Sequence, residues 1–388
     1  MRYYLIVIDS FGIGADSVAS EYGDVEANTA LNICKAVSGP KWAFLQKIGL
    51  GNCCEILGYQ LPGCEAVSAP IASYGVLEKK GFGKDTLTGH WEMAGLYAKS
   101  EMRIFPSEYP SFPASLVNEL ETAAGRKIIG NKAASGTEII QELGEQHMKT
   151  GSIICYTSAD SVIQIAAHED VISKEELYEI CKKARTICDK YNVGRVIARP
   201  FTGNLKDGFI RTKNRHDFSI ALPGVTLLES VLKPMGVEII AVGKIEDIFN
   251  GNGIDISYPE KGNQACIARA YDIASIPSQN VRQLVFINLV DTDMLYGHRR
   301  DAAGYFNAIT EISSNLETLY GKMCDGDVMN ITADHGCDPT FKGTDHTREY
   351  VPMLICRKGD SNDALNLGII RGFDAVMRDA INCFHLHR

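Results

Sequence analysis

The apolar residues of this chain come in short continuous runs rather than in alternation. The first is Tyr3–Ile8 (YYLIVI). Similar runs recur at Glu238–Val242 (EIIAV), Leu284–Val290 (LVFINLV), Val328–Ala333 (VMNITA) and Pro352–Cys356 (PMLIC). Such runs suit strands covered on both faces of a sheet. Helically spaced stretches lie between some of them, as at Tyr305–Lys322, and strands alternating with helices predict an α/β fold on a mostly parallel sheet. The middle of the chain reads differently. Ser100–Pro113 is rich in proline and aromatic residues, and a second compositional break falls at Arg211–Pro223. Between them, Ser152–Thr157 and Arg195–Arg199 read as strands and Glu175–Asp189 as a helix. The pattern predicts a core domain in two parts, residues 1–99 and 218–388, split by an inserted α/β cap domain at 100–217.

Polar residues terminate three of the core runs. Asp9 ends the first, Asp291 and Asp293 follow LVFINLV, and Asp334 and His335 follow VMNITA. Ligands of open α/β sheets bind at the carboxyl ends of the strands, so these distant positions are expected along one sheet edge. Three of the nine histidines, His298, His335 and His346, lie in acidic, glycine-containing segments, DTDMLYGHRRD and TADHGCDPTFKGTDHTRE. So many titratable groups on one edge repel unless a cation or bound ligand compensates. The mixture of carboxylate and imidazole suits Mn²⁺ or Zn²⁺ better than Mg²⁺ or Ca²⁺.

The segment GFGKDTLTGHWE, residues Gly81–Glu92, has neither helical nor strand periodicity and reads as a glycine-flanked loop. Its hydroxyls, Thr86 and Thr88, become phosphoryl acceptors only if a base or metal activates them, and spacing does not choose between the two. The Walker A spacing is missing. The inserted segment carries Arg195, Arg199, Arg211 and Arg215, a candidate phosphate clamp. Lys244, just after EIIAV, adds a positive charge on the core side, and Asp160 can accept from sugar hydroxyls.

Composition narrows the classes. The chain has 388 residues, 45% of them hydrophobic, enough for a large core. A net charge of −9 argues against general nucleic-acid binding, yet leaves room for a small basic pocket. The Leu5–Ile8 run is far shorter than the roughly 20 residues of a membrane span, and Asp9 interrupts it too early for a secretory signal. Twelve cysteines without a CxxC motif read as free buried thiols of a cytoplasmic protein.

Taken together, IDSFGIGA, GKDTLTGHWE, GRKIIGNKAASGTEII, YTSADSVIQIAAHE, GRVIARPF, RTKNRHD, INLVDTDMLYGHRRD and ITADHGCDPTFKGTDHTREYVPML resemble, in this order, the phosphopentomutase family of the alkaline phosphatase superfamily. The resemblance runs along nearly the whole chain. It implies an alkaline-phosphatase-like core with an inserted cap, and two manganese ions. Asp293, His298 and His346 would hold one ion, and Asp9, Asp334 and His335 the other. It also implies Thr86 as the phosphate carrier, loaded from a sugar bisphosphate. Asp160 would meet the ribose, with Arg195, Arg211 and Lys244 near the phosphates. Asp291 would be a neighbour of the metals rather than a ligand. The implied partners are small pentose phosphates, not nucleic acid or a membrane; the oligomeric state is left open, with a monomer among the alternatives. A metal-dependent phosphatase or phosphodiesterase on the same core is the competing class.

Overall fold

A computed structural model describes residues 1–37, 42–158, 161–359 and 364–386. Among them the strands are, in chain order, β1 (Arg2–Ile8), β2 (Ser73–Glu78), β3 (Ile128–Ala133), β4 (Ile153–Thr157), β5 (Val162–His168), β6 (Arg195–Asn204), β7 (Gly208–Arg211), β8 (His216–Ser219), β9 (Glu238–Val242), β10 (Ile256–Tyr258), β11 (Gln283–Leu289), β12 (Val328–Thr332), β13 (Val351–Arg357) and β14 (Asn366–Arg371). The chain divides into two compact units. One joins Met1–Ser100 to Leu222–Arg388, and the other is Glu101–Ala221.

The first unit is built on an eight-stranded sheet in the order β10-β9-β11-β1-β12-β13-β2-β14. From β10 to β12 the strands are parallel. β13 runs antiparallel to both β12 and β2, and β14 is again parallel to β2. The five apolar runs of the core are β1, β9, β11, β12 and β13, and every residue of β1 and β12 is buried. This is what absence of alternation demands, since neither face of these strands meets water. Helices such as Ala302–Lys322, with Phe306, Ile309, Ile312 and Leu316 buried, provide cover.

The second unit has a mixed sheet, β3-β4-β5-β6-β7, with β8 also paired to β6. Successive residues of β4 feed different cores. Ile153 and Cys155 join Leu177, Cys181 and Val196, while Ile154 and Tyr156 join Ile139, Phe201 and Phe209. The sheet is therefore covered on both faces. The helix expected at 175–189 is Lys174–Asp189. The unit ends at Ala221 rather than at residue 217, because β8 stays paired with β6 through Arg195↔Ser219.

One local expectation fails. The segment read as a glycine-flanked loop contains a helix, Thr86–Met93. Asp85, in extended conformation, caps it by accepting the Thr88 amide at 3.1 Å. Every residue from Leu87 to Met93 is buried, polar ones included, so no apolar stripe marks the helical period.

Candidate metal centre and nucleophile

Strands β11, β1 and β12 are parallel neighbours, so their carboxyl ends lie side by side. Asp9 follows β1 directly, Asp334 and His335 follow β12, and Asp293 and His298 belong to a helical turn at Thr292–Gly297 and its C-cap after β11. Ser10 then takes a left-handed φ of 66°, and its amide donates to Asp334 Oδ1 at 3.0 Å. His346 arrives on the segment before β13, tied to the rest by Thr347–Gly336 bridging.

Two groups result. His335 Nε2 lies 3.5 Å from Asp9 Oδ1 and 3.3 Å from Asp334 Oδ2. Asp293 Oδ1 is 3.3 Å from His346 Nε2, and Asp293 Oδ2 is 3.4 Å from His298 Nε2; the two imidazole nitrogens are 3.1 Å apart. His335 Nδ1 donates to the Gly336 carbonyl at 3.0 Å and His298 Nδ1 to the Thr344 carbonyl at 2.6 Å. Each thereby turns a bare Nε2 lone pair toward carboxylate oxygens, the tautomer that second-shell bonds select in metal-binding histidines. Asp9 Oδ1, Asp293 Oδ1 and Asp334 Oδ2 are buried with no hydrogen-bond partner. Lone pairs converging on unpaired buried oxygens repel one another, so the arrangement fits cations and little else. Donor atoms of Asp9, Asp334 and His335 lie within 4.8 Å of one another, as do those of Asp293, His335 and His346. Burial, then the charges of Asp334 and Asp293, push the Asp9 carboxyl well above the usual range. Burial brings His335 down to about 4, leaving its ring neutral near pH 7.

Thr86, first residue of its helix, places Oγ1 3.2 Å from His335 Nε2. Thr88 points elsewhere: its hydroxyl accepts from Lys79 Nζ at 2.6 Å and donates to Asp85 Oδ2 at 2.8 Å. The geometry thus separates the two threonines that spacing could not. It also brings in residues that sequence reasoning gave no role. His90, fully buried, places Nδ1 2.9 Å from the Thr86 carbonyl and 3.2 Å from Asp334 Oδ2. Asn288 donates to Asp9 Oδ2 at 2.9 Å, and Thr292 Oγ1 donates to the Asp9 carbonyl at 2.6 Å. A lone amide inside the apolar LVFINLV run was the available signal for Asn288. It was an ambiguous one, since Asn330 interrupts β12 in the same way and merely donates to Tyr3 Oη. Asp291 accepts the Asn263 amide at 2.8 Å, at the start of the helix Asn263–Ala274, and so does structural work beside the site.

Lys244 follows β9 in the first unit, half-buried, and its charge favours the ionised form of Asp9. In the second unit Arg195 opens β6, 3.8 Å from Asp217. Arg211 ends β7, where its guanidinium donates to Tyr156 Oη at 3.2 Å and its Nε is buried without a partner. Asp160 lies outside the described residues.

Residues 1–377 match the Metalloenzyme superfamily. A phosphopentomutase from Alkaliphilus oremlandii (strain OhILAs) is 48% identical over 373 residues, covering 96% of this chain and 92% of that protein. Among solved structures, the PH0037 protein from Pyrococcus horikoshii is similar at a TM-score of 0.48 and 14% identity, over 99% of this chain and 97% of that one. Leishmania mexicana phosphoglycerate mutase is similar at 0.43 and 14% identity, over 98% and 95%. With a superfamily match that spans the site and both units, and nearly half its residues shared with that relative, the chain belongs to the phosphopentomutase family of the metalloenzyme superfamily.

Proposed function

We propose that the chain interconverts ribose 1-phosphate and ribose 5-phosphate, and their 2-deoxyribose equivalents, through a phosphothreonine at Thr86 and a bisphosphate intermediate. The observation that carries this reading is the Thr86 hydroxyl 3.2 Å from His335 Nε2, inside a cluster whose three buried carboxylate oxygens have no partner. Asp293, His298 and His346 would hold one divalent cation and Asp9, Asp334 and His335 the other, manganese in both cases. Such cations supply charge that makes a hydroxyl more acidic and screens phosphoryl oxygens.

The residues of the chain do the remainder. Asp85 caps the helix that starts at Thr86, so a phosphate on that hydroxyl sits at a helix N-terminus, where the backbone amides favour negative charge. His90 Nδ1 donates to the Thr86 carbonyl at 2.9 Å, which holds the first turn of the helix that carries the hydroxyl beside the metal ligands. The free hydroxyl of an entering pentose phosphate takes the phosphoryl group from Thr86, giving a bound bisphosphate. After the sugar turns, its other phosphate returns to Thr86. Asp160 is assigned to the ribose, and Arg195, Arg211 and Lys244 to the phosphates, on the family resemblance. A sugar bisphosphate loads the enzyme. Twelve free cysteines, eleven of them buried, fit a cytoplasmic setting.

A coupled assay of ribose 1-phosphate conversion, run with chelated protein before and after Mn²⁺ addition, tests the reading. Conversion should return with Mn²⁺ and release almost no inorganic phosphate. Stoichiometric phosphate release without the isomeric product would replace the mutase with a phosphatase.

A further inference from the structure

The segment that delivers Thr86, from Lys79 to Asp85, follows β2 without regular structure, so its backbone polar groups need side-chain partners. Two buried residues on opposite sides of the sequence meet that need. Arg348 Nη1 donates to the Gly81 carbonyl at 2.8 Å and to the Gly83 carbonyl at 2.7 Å, and Nη2 donates to the Lys79 carbonyl at 2.7 Å. Its Nε is anchored on Asp16 Oδ2 at 2.6 Å. Glu92 takes the amides: it accepts from Lys80 and Gly81, each at 2.7 Å. Carbonyls thus meet a guanidinium and amides meet a carboxylate. The far end of the segment is closed by the Lys79–Thr88–Asp85 chain of bonds at the helix cap. Gly83, at φ +84°, has no space for a side chain, since a Cβ there would lie 2.9 Å from both Asp85 Oδ2 and Thr88 Oγ1.

Arg348 stands two residues after His346. The stretch it belongs to exchanges backbone bonds with Gly336 through Thr347, and Tyr350 donates to the Gly14 carbonyl and accepts from the Ile13 amide. One short piece of chain therefore carries a metal-site histidine, braces the loops after β1 and β12, and grips the Thr86 segment.

We propose that Arg348 is a positioning residue for phosphoryl transfer, fixing Thr86 against the metal-site residues by holding three carbonyls of the segment before it. The inference rests on Thr86 as the phosphate carrier. A planar guanidinium spans three carbonyls and Asp16 at once; an ammonium has no such fork.

The test uses the full chain with Mn²⁺ and compares Arg348→Lys and Glu92→Gln with the wild type. Phosphorylation of Thr86 by a sugar bisphosphate, followed by intact mass in a single turnover, should slow on the order of 100-fold, as a small misplacement of a reacting group does. The kcat should fall in parallel, while KM for ribose 1-phosphate, bound metal and the circular-dichroism spectrum stay at wild-type values. Wild-type phosphorylation rates in both variants, or loss of metal in step with loss of rate, would overturn the inference. A wild-type chain that never takes phosphate on Thr86 would overturn the carrier assignment itself, and the positioning role with it.

Discussion

At His335 three demands meet in one ring. Nδ1 is spoken for by the Gly336 carbonyl, so Nε2 alone faces Asp9, Asp334 and the Thr86 hydroxyl. Thr86→Ala should therefore keep its metals, read by elemental analysis, and lose pentose phosphate isomerisation in both directions. Thr86→Ser should retain part of it. After incubation with a sugar bisphosphate the intact mass should rise by one phosphate, mapped to Thr86; the same gain in Thr86→Ala would remove that residue from the role. Asn288→Ala takes away the donor to Asp9 Oδ2 and should weaken metal binding by about 10–100-fold, measured by competition with a chelator. Glu349 makes a pH-dependent contribution of another kind. Burial pushes its carboxyl up to about 7, although Oε1 accepts from Thr29 and Thr347 and Oε2 from Gly14 and Thr29. With a folded pKa above the unfolded one, the native state binds more protons between about pH 4.5 and 7, so this contribution to stability falls as pH rises through that window. Urea unfolding of metal-free protein should show the wild type losing on the order of 3 kcal/mol relative to Glu349→Gln across it. A pH-independent difference would show that Glu349 titrates normally.

The helix Thr86–Met93 packs against the metal site through Gly89. A Cβ on Gly89 would lie 2.8 Å from Asp334 Cβ, and closer still to the Asp334 carbonyl oxygen. Glycine to alanine inside a helix ordinarily stabilises by about 1 kcal/mol. Gly89→Ala should instead lower the melting temperature and metal content together, because the helix must move away from Asp334. A raised melting temperature would show that the packing is loose. This helix also marks where reading the sequence stops working. Strands β1, β9, β11, β12 and β13 are legible because a doubly covered strand is apolar at nearly every interior position, Asn288 and Asn330 being the interruptions. The helix Lys174–Asp189 is legible because only one face is buried, through Leu177, Ile180, Cys181, Ala184 and Cys188. Leu87–Met93 is buried all round with Thr88, His90 and Glu92 inside it, held by polar partners in the preceding segment and, for Glu92, by Phe373, so no apolar stripe betrays the helical turn. Of the candidate site, the cluster of acids and histidines at strand ends is legible from position, whereas its assignment to two ions and the choice of Thr86 rest on resemblance. The contacts of Asn288 with Asp9, of His90 with Asp334 and of Arg348 with the Lys79–Gly83 carbonyls are not legible, because only the fold brings those partners near.

Over the whole molecule, metal and stability are linked, since a cation that binds only the native cluster stabilises it by mass action. Chelation should lower the melting temperature by roughly 5–10 °C, and Mn²⁺ should restore it; an unchanged temperature would mean that the cluster holds no cation. No helix among the described residues is long and apolar enough to cross a membrane. The second unit is one continuous piece of chain, Glu101–Ala221, whereas the first is drawn from both sides of it. The strand order has a consequence for biosynthesis. β1 sits between β11 and β12, with Arg2 opposite Gln283 and Tyr3 opposite Val328. On the ribosome β1 thus waits for both neighbours while the roughly 300 residues up to β12 are translated, some tens of seconds at roughly 10 residues per second. Throughout that interval an all-apolar strand, YYLIVI, has neither of its native edges to pair with. Arg2 before this run and Asp9 after it set a charge at each end, the placement that disfavours edge-to-edge association, and a holding chaperone would find its binding site on β1.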